Sequence, residues 1–162
     1  APMVLPGSYT VKLRVKDQEY VSTIQCVHDD ANNDLSLADR KLVYNKAMQL
    51  QGLYNHLNVD IDTIQYYKTK LKADSNNKAN KAMLADLEKI RAELMATKQT
   101  SLFADEEKLR EKVSQLYGSF CNMEAKPNEI QLKAIEALDE QYKQLNLRLN
   151  QTLNKHLPKI NL

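Results

Sequence analysis

Two periodicities divide the chain. From residue 8 to residue 28 apolar and polar positions alternate: Tyr9, Val11, Leu13 and Val15 fall on one side, Thr10, Lys12, Arg14 and Lys16 on the other. A period of two is that of a strand, whose successive side chains leave on opposite faces. Lys16-Asp17-Gln18-Glu19 makes a polar turn, and Tyr20 to Val27 returns with Tyr20, Ile24 and Cys26 sharing a face. Pro6-Gly7 ahead of the first run is a turn signal. The pattern predicts a β-hairpin within residues 1–30, wet on one side. Two strands cannot bury an apolar face on themselves. The face of Tyr9, Val11, Leu13 and Val15 therefore needs a cover: the remainder of a β-sandwich, the later part of the chain, or a second copy.

After Asp29-Asp30-Ala31-Asn32-Asn33 the period changes to about 3.6. Over residues 34–162 it predicts a four-helix bundle, with helices at about 36–72, 78–97, 104–122 and 128–156. Ser36 with Asp39 resembles a capping box opening the first helix. Its stripe is Tyr44, Ala47, Met48, Tyr54, Leu57, Ile61, Ile64, Tyr67 and Leu71, and it runs on through the weak helix formers Asn58-Val59-Asp60. Asp74-Ser75-Asn76-Asn77 is a polar turn. Ala79, Met83, Leu87, Ile90 and Leu94 then mark the second helix. Asp105-Glu106-Glu107 places negative charge where the third helix opens, and Leu109, Val113, Leu116, Tyr117 and Phe120 form its buried side. Asn128 with Gln131 offers a cap for the fourth. Its stripe is Ile130, Ala134, Ile135, Leu138, Tyr142, Leu145, Leu149 and Leu153, and Pro158 stops it. Short polar turns favour an antiparallel up-and-down course. The fold class expected is mainly α, an antiparallel four-helix bundle preceded by a hairpin left over from a β-sandwich.

Charge narrows the partners. The 162 residues carry 23 Lys and Arg against 21 Asp and Glu, a net +2 without a clustered basic face, so no nucleic-acid partner is expected. No apolar run approaches the roughly 18 residues of a membrane span. The opening Ala1-Pro2-Met3-Val4-Leu5-Pro6 has neither an initiator Met nor a charged-then-apolar leader, which suggests processing or a longer parent chain.

Candidate chemistry is sparse. His28, His56 and His156 lie in separate segments, none with a Glu three residues before it, and His-Glu-x-x-His is absent, so no metal and no cofactor are expected. Asp60 with Asp62, Asp105 with Glu107, and Glu136 with Asp139 and Glu140 read as solvated helix faces or dipole complements, not as hydrolytic pairs held across a cleft. With only Gly7, Gly52 and Gly118 there is no phosphate-binding loop, and no Gly-x-Ser-x-Gly occurs. Lys68, Lys70 and Lys72 suit a helix C-terminus; Tyr54, Tyr66 and Tyr67 suit a core better than a sugar platform. Cys26 and Cys121 lack metal-ligand spacing and are expected as two buried thiols that behave as small hydrophobes, with a disulfide joining hairpin to bundle as the alternative. No catalytic, cofactor-binding or metal site residue is expected.

Pro6-Gly7-Ser8-Tyr9-Thr10-Val11-Lys12-Leu13, a polar turn, Tyr20 and a strand closing at His28-Asp29 resemble the last two strands of a fibronectin-type-III-like domain. The Tyr following Pro-Gly is similar to the tyrosine corner of such sandwiches. Followed by a helical tail, the pattern resembles the C-terminal region of exported bacterial proteins that bear a glycosyl-hydrolase label and carry Asp-box or sortilin-type β-propeller repeats. Lys126-Pro127-Asn128-Glu129-Ile130-Gln131 looks like the opening of their final helix, and Asn154 to Ile160 like their Asn-rich ending. Asp30 and Asn128 stand where that family usually has Pro and Thr. The resemblance implies a periplasmic or secreted location and a non-catalytic C-terminal accessory module. It also implies partners in upstream domains of the same polypeptide; self-association through the exposed hairpin, the second-copy cover noted above, is a further route. The propeller, where any glycosidase activity would reside, is not in this chain, so no catalytic residue carries over. A helical protein- or glycan-binding module is the alternative.

Overall fold

A computed structural model describes residues 2–27, 35–72, 77–98 and 106–159. Strands β1 (Gly7–Val15) and β2 (Gln18–Cys26) pair antiparallel, from Gly7 opposite Cys26 to Val15 opposite Gln18. The turn is tighter than the four polar residues suggested. Only Lys16 and Asp17 leave the ladder, and Lys16 takes a left-handed φ of 53° to let the chain reverse in so short a loop.

Four helices follow: α1 (Leu37–Lys72), α2 (Lys78–Leu94), α3 (Leu109–Cys121) and α4 (Glu129–His156). The class is mainly α with an N-terminal hairpin, as the two periodicities predict. Local chemistry sets several of the ends. The Asp39 amide donates to Ser36 Oγ at 3.1 Å, and Asn128 and Gln131 exchange amide-to-side-chain bonds at 2.8 and 2.9 Å. Helix α2 stops with the last residue of its stripe, Leu94, short of the expected 97, because Met95 is extended, at φ −143° and ψ 153°. Helix α3 starts later, with Glu106 and Glu107 ahead of it; Asp105 lies outside the described residues. Glu111 Oε2 accepts from the Lys108 amide at 3.2 Å and from the Ala96 amide at 2.9 Å, tying the exit of α2 to the entry of α3.

The up-and-down course has one refinement: α2 and α3 share the downward leg. Lys68 of α1 meets Glu88 of α2, whereas Tyr54 and Asn58 meet Arg110 of α3 and Asp39 meets Lys126 just beyond α3. The two shorter helices thus succeed each other along α1. At 1.5 Å per residue, the 36 residues of α1 make about 54 Å, close to the sum of 17 and 13 residues in α2 and α3 plus their connection. Helix α4 lies parallel to α1, with Asn146 against Asp60, and antiparallel to α2, with Arg148 against Glu93 and His156 against Asp86. The rod is three helices thick throughout. Its core is continuous, with Ala47, Leu50, Leu57, Val113, Phe120 and Ile135 at the α3 end and Ile64, Met83, Leu87, Leu94 and Leu149 at the α2 end. Two stripe positions correct the sequence reading: Ile130 is 79 % exposed, since it falls to the side of the α4 face that carries Ile135, Leu145 and Leu149, and Met48 is also exposed.

Candidate functional site

A contiguous set of apolar side chains without a cover lies on the hairpin. Pairing places Leu13 opposite Tyr20 and Tyr9 opposite Ile24, so Tyr9, Val11, Leu13, Val15, Tyr20 and Ile24 share one face. Of these only Tyr9 is half-buried; Leu13 is 58 % exposed and Tyr20 55 %. Neither strand packs extensively on a helix of the rod. The opposite face is charged and self-paired: Glu19 takes Arg14 Nε at 2.8 Å and Lys12 Nζ at 3.0 Å. The Arg14 hydrogen bond, helped by Lys12, holds the Glu19 carboxyl below its ordinary value. One face of the ribbon is therefore finished for water and the other is not.

Tyr9 anchors the entry to the ribbon. Its hydroxyl donates to the Leu5 carbonyl at 2.5 Å, four residues upstream. The ring thereby fixes residues 5–9 as a corner, and Leu5 and Pro6 turn toward the base of the rod. There a cavity of about 400 Å³ separates hairpin from helices, walled by Leu5, Pro6 and Val27 on one side and by Leu35, Val43, Tyr44, Phe120, Cys121 and Met123 on the other. Arg40 and Glu124 add charge to its lining.

Several polar groups of the rod are engaged between helices. His56 is exposed and stacks on Tyr142 with ring centroids 6.1 Å apart. Asp60, read from sequence as solvated, is buried and accepts from Asn146 Nδ2 at 2.9 Å; Asp62 is exposed. Burial, followed by the charge and hydrogen bond of Asp60, pushes the Tyr142 hydroxyl up to about 12. A phenol held protonated that far is a hydrogen-bond donor and not a base. Lys68 is likewise buried, on Glu88 at 2.6 Å, instead of serving the end of α1, whereas Lys70 reaches over the Tyr66 ring at 5.7 Å and Lys72 is exposed. His156 is buried with Nε2 3.1 Å from Asp86 Oδ2, beside Lys155 at 3.2 Å from the same oxygen. Those contacts, the His156 hydrogen bond foremost, hold the Asp86 carboxyl below its ordinary value. Arg148 grips Glu93 with both terminal nitrogens at 2.8 Å, and Arg110 bonds Asn58 and Tyr54 at 3.0 and 3.1 Å.

These pairs join one helix to another, and Asp86, Arg148 and Lys155 also line a shallow groove of about 300 Å³ between α2 and α4. Glu136 and Glu140 are exposed, and Asp139 pairs with Lys143 at 2.7 Å on the α4 surface. His28 lies outside the described residues. Cys26 and Cys121 are free and only half-buried, not fully buried as expected, because each closes its element at an end where cover is incomplete. Among the described residues no three His, Cys, Asp or Glu side chains gather as a metal site would require, and no helix is long and apolar enough to cross a membrane. Sequence reading missed the Asp60–Tyr142–Asn146 cluster and the burial of Lys68. The signal for both was present: Asp60 and Lys68 fall in step with Leu53, Leu57, Ile64 and Leu71, on the helix face that carries the core. No known protein family, no curated protein and no solved structure matches the chain.

Proposed function

We propose that this chain is a non-catalytic accessory module of a larger exported protein, a helical rod that presents a hairpin to further β-structure of the same polypeptide. The observation that carries the reading is the uncovered face of Val11, Leu13, Val15, Tyr20 and Ile24 beside a fully paired charged face. Burying such side chains is worth about 1.5–3 kcal/mol each, which a two-stranded ribbon forgoes unless a second layer meets it. An apolar sheet packed about 10 Å away is the surface that fits a pleated, one-sided ribbon. The Tyr9 bond back to Leu5 supports the resemblance to the end of a fibronectin-type-III-like sandwich, and with it a β-propeller parent and a periplasmic or secreted site of action. The glycosyl-hydrolase label of such parents attaches to the propeller; the polar residues of this rod bind one helix to the next.

The test substitutes Leu13 and Tyr20 by serine. In the chain alone the double variant keeps the rod's unfolding transition and binds less of an apolar dye. In the parent polypeptide it lowers the melting temperature of the domain that adjoins the hairpin. An unchanged parent would sink the docking reading. A dimer of the isolated chain that dissociates on the double substitution would assign the face to a second copy instead.

A further inference from the structure

The balanced charge of the whole chain conceals an uneven spread. Residues 68–81 hold five lysines against one acid, Asp74, which lies outside the described residues. The rest of the chain is left with eighteen Lys and Arg against twenty Asp and Glu. The fold gathers this segment at one place, the tip where α1 ends and α2 begins, since the hairpin meets the rod at the opposite end, near Leu35, Val43 and Tyr44. Helix α4 ends at the same tip and adds Lys155. The acids nearby are already engaged: Glu88 holds Lys68 at 2.6 Å, and Asp86 holds Lys155 and His156. Lys70, Lys72, Lys78 and Lys81 are exposed and enter no ion pair among the described residues. Lys70 instead lies over the ring of Tyr66, which is itself 55 % exposed.

Helix stability accounts for only half of this cluster. Lys70 and Lys72 complement the negative end of α1. Lys78 and Lys81 stand among the first four residues of α2, where the helix dipole disfavours a cation and no acid offsets it.

We infer that the tip is a docking surface for an anionic lipid bilayer, met end-on. Positive charge confined to the end of a chain that is acidic elsewhere selects a broad, flat partner. A bilayer meets the tip alone, whereas a polyanion lying along the rod would meet the acidic surplus. The segment holds no arginine, the side chain that grips phosphates and base edges with a rigid fork. Its lysines are compact hydrated charges suited to diffuse attraction by headgroups, and Tyr66 beside Lys70 supplies the amphipathic ring that settles at headgroup level. Each lysine brought to such a surface strengthens binding by about fivefold. The hairpin stays clear, about 54 Å away along α1, so the inference holds whether or not the ribbon docks as proposed above.

The experiment floats the full chain with vesicles of equal phosphatidylglycerol and phosphatidylcholine, with helicity followed to confirm that the rod stays folded. Binding is expected in low salt, is lost in high salt, and is absent on phosphatidylcholine alone. Lys78→Gln with Lys81→Gln lowers partitioning by about 25-fold. The same charge removed at the hairpin end, by Lys41→Gln with Lys46→Gln, changes it by less than about twofold, because those positions lie beyond the screening length. Lys78→Glu with Lys81→Glu abolishes binding yet raises the urea midpoint of the rod, since acids suit the start of a helix. The chain has no Trp, so Tyr66→Trp provides a single reporter whose emission shifts to the blue on the anionic vesicles. Absent binding in low salt, equal losses from the two glutamine pairs, a lower urea midpoint in the glutamate pair, or an unmoved emission each overturns the inference. Tighter binding to duplex DNA than to the vesicles in the same salt also overturns it and assigns the tip to a nucleic acid.

Discussion

The rod and the hairpin spend the same kinds of side chain in opposite ways. Leu50, Leu57, Ile64, Met83, Leu87, Val113 and Ile135 of the rod are withdrawn from water, whereas Val11, Leu13, Val15, Tyr20 and Ile24 of the hairpin keep between 46 and 58 % of their surface in it. Polar groups show the same contrast. Those of the rod cross from helix to helix, as Arg148 to Glu93 and Asn146 to Asp60, while those of the hairpin pair within one wet face. Complete burial marks a structure that finds its partners within itself. A ribbon that is finished on one face only leaves the other face open, which is the basis of the docking proposed above.

Core truncation gives the largest separation between the two regions. Leu57→Ala and Phe120→Ala each lower rod stability by about 2–5 kcal/mol in urea unfolding, because both leave a cavity among buried neighbours. Leu13→Ala changes it by less than about 0.5 kcal/mol, as a surface substitution does. Equal costs for Leu13 and Leu57 would erase the comparison. Next comes the polar cluster inside the rod. Asn146→Ala takes a donor from the buried Asp60 and costs about 1–3 kcal/mol, and a companion Asp60→Leu recovers part of that loss.

Acid probes the inter-helix pairs. Arg148, by its hydrogen bonds, holds the Glu93 carboxyl below its ordinary 4.5, and His156 does the same for Asp86 below 3.8. A folded-state value beneath the unfolded one means stability that is present above the unfolded value and is lost as pH falls through the folded one. The urea midpoint of the rod therefore falls as the pH drops below about 5. Glu93→Gln removes part of that drop, by about 0.2–1 kcal/mol for so exposed a pair. A variant with an unaltered pH profile would show that the pair contributes nothing. The smallest effect is confined to the ribbon. Lys16→Gly relieves the left-handed φ of 53° and stabilises the hairpin by roughly 1 kcal/mol, read as slower hydrogen exchange in β1 and β2 with the rod's transition unmoved.

Much of this architecture was legible because it is local. The alternation at Tyr9, Val11, Leu13 and Val15 names a strand with one apolar face, and Ser36 and Asn128 name two helix starts through bonds to residues three positions on. The buried arc of α1 was less legible. Val43, Leu50 and Leu53 belong to the core and Met48 does not, because α1 meets three other helices and its buried arc shifts as α3 gives way to α2 along it. That α2 and α3 share one leg depends on matching their lengths to α1, which no single stripe records. The polar cluster was hidden for a different reason. Asp60 and Asn146 stand 86 positions apart, and a carboxylate on an apolar stripe does not announce which distant amide will satisfy it. The seam cavity is likewise assembled from residues 2–6, Val27 just after β2, the start of α1 and the end of α3, which only the fold brings together.

Native-state hydrogen exchange on the chain alone, resolved by residue, is the most direct test of a self-sufficient rod bearing an unfinished ribbon. Amides at Leu50, Leu57, Leu87 and Leu149 should exchange only through global unfolding, while those of residues 7–26 exchange close to their unprotected rates. Protection in the hairpin equal to that of the helices would show that the ribbon is complete as it stands.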